Sequence, residues 1–168
     1  MSEIKRAALF GKLNSLGYKS IESATVFCKM RGNPYVETVH WIHQLLQLPD
    51  SDLHRIIKHF GLDPSRLATD IVGSLDRLPR GATSISDISR HVSDAVERGW
   101  VFGTLLFGDS QVRMGHVVVG LVKDADLRNG FLALSREFAK IKAEVLTDDF
   151  SKILSGSPVR NIHLPGVA

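Results

Sequence analysis

Residues 103–116 read GTLLFGDSQVRMGH. Two reactive motifs can be read into this stretch, and so can a structural joint. Gly103 and Gly108 have the spacing of the glycines in the phosphate-binding loop G-x-x-x-x-G-K-[ST], but Asp109 stands where the lysine belongs. Such a loop follows a strand and holds phosphates with backbone amides and the lysine. Here the preceding segment has helical periodicity, and Asp109 would repel a phosphate. Gly108-Asp109-Ser110 is also the tripeptide that carries the nucleophilic serine of one esterase class. A serine nucleophile needs a histidine and an acid to activate it. The D-x-x-H that this class carries near its end occurs nowhere in the chain.

The joint reading comes from a repeat. Residues 40–46 are HWIHQLL and residues 116–122 are HVVVGLV. Placing His40 on His116 aligns Val36 with Val112, Leu45 with Leu121 and Leu46 with Val122. Further on, Asp50-Ser-Asp52-Leu53 matches Asp124-Ala-Asp126-Leu127, and upstream Ser23-Ala24-Thr25 answers Asp94-Ala95-Val96. Long-period self-similarity marks a duplicated structural unit. Each copy is predicted as a long helix, a loop, a short apolar helix and two further helices. Two such four-helix units, burying their apolar faces on each other, make an all-α domain with pseudo-twofold symmetry and one extra helix at the N-terminus. GTLLFGDSQVRMGH is then the second copy of the joint at RGNPYVETVH, residues 31–40.

Periodicity and stop signals predict the elements. A first helix runs from about Glu3 to Leu13 and a second from Leu16 to Arg31, with Ile21, Ala24 and Cys28 on one stripe. Gly32-Asn33-Pro34 ends the second. A third covers Glu37 to Leu48. The fourth starts at Asp50 as cap and stops at Gly61, and the fifth opens with Asp63 and Pro64. A long helix spans Asp87 to Leu106, with Gly99 and Gly103 inside it. Three more fit Met114–Val122, Ala125–Leu134 and Arg136–Thr147. Val117-Val118-Val119 is the best strand candidate, but its flanks are helical. Residues 1–150 form the domain, and residues 151–168, with Ser155-Gly156-Ser157-Pro158, Pro165 and Gly166, have the composition of a linker or tail.

With 168 residues, 43% of them apolar and 23% charged, the chain suits one globular domain. Net charge is +3, but cations are interspersed with anions and no dense basic run marks a nucleic-acid footprint. No run is apolar enough for a membrane span or signal peptide. The lone cysteine, Cys28, cannot form an internal disulfide, and a cytoplasmic location is the simplest expectation.

The double repeat, with V-x-x-x-H leading into an apolar helix, resembles the N-terminal domain of Clp-type AAA+ unfoldases. The segments LFGKLN, RGNPYVE, HWIHQLLQLPDSDLHRIIKHFGLD, LDRLPRGATSIS and LLFGDSQVRMGH look very like the ClpV branch, the Clp ATPases of bacterial type VI secretion. The likeness covers about residues 9–147. It implies a binding domain and not a catalyst. Its partner would be an amphipathic helix of the contracted sheath, from a subunit of the VipB or TssC type, which an ATPase ring then remodels and recycles. It implies no cofactor in this fragment, with ATP and Mg in two further ATPase modules joined by the tail. Those modules would form a homo-hexamer, and the isolated domain is expected as a monomer. A second reading stays open: an N domain of a general Clp unfoldase that binds an adaptor or unfolded segments. The helix before Leu16, which the general family does not require, separates the two.

That helix lies outside the repeat and carries two apolar stripes, Ile4–Ala7–Ala8 flanked by Phe10, and Leu9–Leu13. One stripe can dock while the other stays free as a wall for an incoming helix. The expected groove lies between the first and second helices and closes near Ile85 and Ile88. Its candidate lining is Ile4, Ala8, Leu9, Leu13, Ala24, Phe27, Ile85 and Ile88. His40 and His43 could share a helix face, but no ligand set completes a metal site. His40 and His116, being repeat-equivalent, are expected to cap or bridge within the fold. Cys28 is expected as a buried, inert thiol.

Overall fold

Residues 4–159 are described by a computed structural model of the chain. Two long helices set its frame. Helix α2 (Ser15–Arg31) begins where the Asn14 side chain accepts the Gly17 amide at 2.8 Å, and it ends at the left-handed Gly32. Helix α6 (Arg90–Phe107) begins at Ser89, which accepts the His91 amide, and ends at the left-handed Gly108. Their buried faces correspond position by position: Gly17 with Val92, Ser20 with Ala95, Ile21 with Val96, Ala24 with Gly99 and Cys28 with Gly103. The sequence match of Ala24 with Ala95 is therefore one helical turn out of register. What sets the register is contact with the following short helix, which needs small residues opposite it, and a residue-type match between long helices does not report that.

After each long helix the chain runs extended and turns into a short apolar helix, α3 (Thr38–Leu46) or α7 (Met114–Lys123). Val117–Val119 is helical, as its flanks indicate. Helices α4 (Asp52–Phe60) and α5 (Pro64–Asp76) complete the first half, and α8 (Ala125–Leu134) continues the second. The two halves are stitched by exchange. Strand β1 (Tyr35–Val36), before α3, pairs in parallel with β2 (Asp87–Ile88), before α6. In the symmetry-related place Leu13, before α2, bridges Val112, before α7. Each half thus holds the other's turning point. Trp41, Ile56, Leu67, Ile71, Phe131, Phe138 and Leu146 fill the core between them.

Several boundaries differ from the sequence expectation. Helix α1 is only Arg6–Phe10, because the chain turns at Gly11 to reach the Leu13–Val112 bridge; the expected start at Glu3 lies outside the described residues. Ser51, not Asp50, caps α4; the Asp50 carboxylate instead pairs with Arg55. Asp87 and Ile88 are strand and not helix, since they complete the bridge to β1. The expected helix over Arg136–Thr147 is a 3-10 turn (Arg136–Lys140) and a separate α9 (Ala143–Asp148). The extended Ile141–Lys142 between them lets Phe138, Ile141 and Leu146 all reach the core.

The largest difference is at the C-terminus. Residues from 151 on, read as a tail, are packed onto the bundle as far as Ser157. Phe150 and Ile153, from helix α10 (Phe150–Ile153), and Leu154 are buried. The buried Asp52 carboxylate accepts from Arg113 Nε and Nη2 at 2.8 Å, from the Gly115 amide at 2.8 Å and from Ser157 Oγ at 2.6 Å. Arg55 donates to the carbonyls of Ser155 and Gly156. A buried carboxylate is tolerated when its oxygens are all satisfied in this way.

Candidate functional site

Helix α1 docks mainly on α6. The Leu9–Leu13 stripe faces the bundle: Leu9, Phe10 and Leu13 are buried. An ion pair between Arg6 and Asp87 fixes the start of α1 beside β2. Arg6 also holds the Asp87 carboxyl below its usual range by hydrogen bonding. The backbone closes the other end, with Asn14 N donating to Val112 O at 2.8 Å and Val112 N to Lys12 O at 2.7 Å. With this stripe used, Ile4 (56% exposed) and Ala8 face outward. Ile85 and Ile88, both half-buried, flank the Asp87 that Arg6 grips.

The eight candidates therefore divide. Ile4 and Ala8 are exposed on α1, and Ile85 and Ile88, beside the Asp87 that Arg6 grips, are half-buried against the core. Leu9 and Leu13 are spent on docking α1. Ala24 has no exposed surface, because it sits where α2 meets α3, so it cannot line a groove. Phe27 is turned to α3, stacked on the His43 ring at 4.4 Å under the Arg31 guanidinium. The candidates that keep solvent-accessible surface at this end of the fold thus lie on α1 and around β2.

The histidines are structural. Nδ1 of His40 accepts the Glu37 amide at 2.8 Å, and Nε2 lies 2.9 Å from Asn33 Oδ1. Nδ1 of His116 accepts the Arg113 amide at 3.1 Å, and Nε2 lies 2.9 Å from Asp109 Oδ2. In both, the amide donated to Nδ1 places the ring proton on Nε2. Each ring caps the first turn of its short helix and ties it back to the residue after the left-handed glycine. Burial lowers the pKa of both, to about 4 for His40. Asp109 opposes the shift at His116 without overcoming it. With both nitrogens of His116 engaged, this ring cannot activate Ser110, and Gly108-Asp109-Ser110 is a turn. Cys28 is buried with Sγ 3.3 and 3.2 Å from the carbonyls of Asn33 and Tyr35, and burial raises its pKa. Among the described residues no group of His, Cys, Asp or Glu could hold a metal ion, and no helix is long and apolar enough to cross a membrane.

A groove that the sequence reading missed lies elsewhere in the fold. It is lined by α3, α4 and α5, has a volume of about 610 Å³, and includes Leu46, Ile57, Leu67, Ala68, Ile71 and Val72. One signal was present: Leu67, Ala68, Ile71, Val72 and Leu75 make α5 apolar over a wider arc than one buried stripe requires.

Comparison with known proteins agrees with this architecture. Residues 16–135 match the Clp repeat (R) N-terminal domain model. The AAA+ ATPase ClpV1 of Pseudomonas aeruginosa is 64% identical over 158 residues, which are 94% of this chain and 18% of that protein. The chain thus spans about a fifth of the length of this relative. A solved chain from work on the coevolution of the ATPase ClpV, the TssB-TssC sheath and the accessory HsiE protein superposes with a TM-score of 0.91 at 64% identity, covering 94% of this chain and 98% of that one. The ClpV N-domain in its complex with VipB peptide superposes with a TM-score of 0.82 at 24% identity, covering 95% and 97%.

Proposed function

This chain belongs to the family of Clp repeat (R) N-terminal domains, and from that premise we propose that it recruits a type VI secretion sheath subunit to a Clp ATPase. The domain takes an amphipathic helix of the subunit into the edge between α1, β2 and α6. The observation that carries this reading is the divided α1: one apolar stripe is buried, while Ile4 and Ala8 stand open beside Ile85 and Ile88. A helix laid there would bury its own apolar face and leave its polar face in water. Support for the partner comes from the 64% identity to a ClpV1 and from a ClpV N-domain bound to VipB peptide. The reaction itself, driven by ATP and Mg, belongs to ATPase modules outside these residues. A homo-hexamer of those modules in the cytoplasm, joined through residues beyond Val159, would pull on the captured subunit, and the isolated domain would be a monomer.

Calorimetry with a synthetic helix of the sheath subunit tests the reading. Ile4→Glu and Ala8→Glu change exposed side chains and leave the fold intact. Each is expected to weaken binding at least about tenfold, or roughly 1.4 kcal/mol. Unchanged affinity in both would place the helix elsewhere.

A further inference from the structure

The groove between α3, α4 and α5 shares no lining residue with the edge at α1. We propose that it is a separate docking site for a second protein segment, an amphipathic helix flanked by acidic side chains. Its floor is built of the buried Ile57, Leu67 and Ile71, and the exposed Ala68 and Val72 carry the apolar surface outward along α5. At about 610 Å³ it is as large as a typical ligand site, about 300–1,000 Å³. It is nevertheless a trough with one side in water, which suits one face of a helix better than an enclosed small molecule.

The repeat shows that this open face is particular to the first half. His43 and Leu46 are half-buried at the groove, whereas their equivalents in α7, Val119 and Val122, are buried. The charge pattern selects the partner. The Lys58 ammonium stands beside the apolar floor, with the rings of His43 and His54 at its rim, and among the described residues no carboxylate lines the groove. Burial and the Arg31 guanidinium lower the His43 pKa, so that ring is neutral. Acidic flanks on an incoming helix would meet the Lys58 ammonium favourably, and basic flanks would be repelled by it.

The test uses the isotope-labelled chain and two synthetic helices with leucines at i, i+3, i+4 and i+7, one flanked by glutamates and the other by lysines. Nuclear magnetic resonance titration is expected to shift the amides of Gly61, Ala68 and Val72 with the acidic helix. Affinity should fall at least about tenfold with the basic helix and with the exposed substitutions Lys58→Glu and Val72→Glu. Binding of the sheath helix at α1 should be unchanged in both variants. Equal binding of the two helices, shifts confined to α1, or no binding of the acidic helix would each overturn the proposal. So would self-association of the chain alone that Val72→Glu abolishes, since a second copy would then be the occupant.

Discussion

Single residues decide how closely the helices meet. Gly103 lies inside α6, where alanine would be the better helix former by about 1 kcal/mol. A Cβ there would stand 2.9 Å from Nδ1 and 3.0 Å from Cγ of His116, whose ring is fixed by hydrogen bonds at both nitrogens. The ring cannot yield without uncapping α7. Gly103→Ala is therefore expected to destabilise the domain by about 1–3 kcal/mol despite its helix propensity. Gly130, inside α8, has open space where its Cβ would be. Gly130→Ala is expected to stabilise by about 0.5–1 kcal/mol. Urea unfolding of the two variants should move in opposite directions. From sequence alone both glycines cost helix stability equally; only the neighbour 13 positions on, His116, separates them.

At the scale of elements, the short pieces at the two ends do more than their length suggests. Helix α1 has only five residues, too few to be stable alone, and stands because Leu9, Phe10 and Leu13 are buried and Arg6 holds Asp87. Helix α10 has four, and with Leu154 it covers Gly115: a Cβ on Gly115 would clash with Leu154 and stand 2.9 Å from Phe150. Ending the chain at Asp149 removes the buried Phe150, Ile153 and Leu154. It also takes away the Ser157 donor to Asp52 and the carbonyl partners of Arg55. Burial of each such side chain contributes about 1.5–3 kcal/mol, so the truncated chain is expected to lose at least about 3 kcal/mol of unfolding free energy. A thermal midpoint unchanged by the truncation would show that α10 is an appendage. The glycine- and serine-rich composition of residues 155–158 suggested a linker because composition reports only local preference. The partners of this segment, Asp52 and Arg55, lie about a hundred positions earlier.

For the molecule as a whole, the two repeat-equivalent histidines link stability to pH. Above pH 6.5 His40 is neutral in both the folded and the unfolded chain. Between its ordinary value of 6.5 and about 4, the unfolded chain takes up a proton that the buried, doubly bonded ring refuses. Stability is therefore full at neutral pH and is lost as pH falls through this window, by up to about 3 kcal/mol for His40. His116 is shifted in the same direction and adds to the loss. Chemical unfolding at pH 7 and pH 4 should show the fall, and a His40→Asn chain, already weaker at pH 7, should show a smaller one. The symmetric pair also illustrates what could be read in advance. Repeated V-x-x-x-H and apolar runs of helical period determined an all-α double repeat, the four helices of the first half, the caps at Asp63 and Gly61, and the capping role of both histidines. These features depend on residues within a few turns of one another, and such spacing is written in the chain. Tertiary structure alone decided that α1 docks on α6, that β1 and β2 cross between the halves, that Ala24 is the repeat equivalent of Gly99, and that α3–α5 leave a trough open. Each of these depends on which distant surfaces are covered, as at Leu13 with Val112 and Asp52 with Arg113, and burial by a distant partner leaves no local period to read.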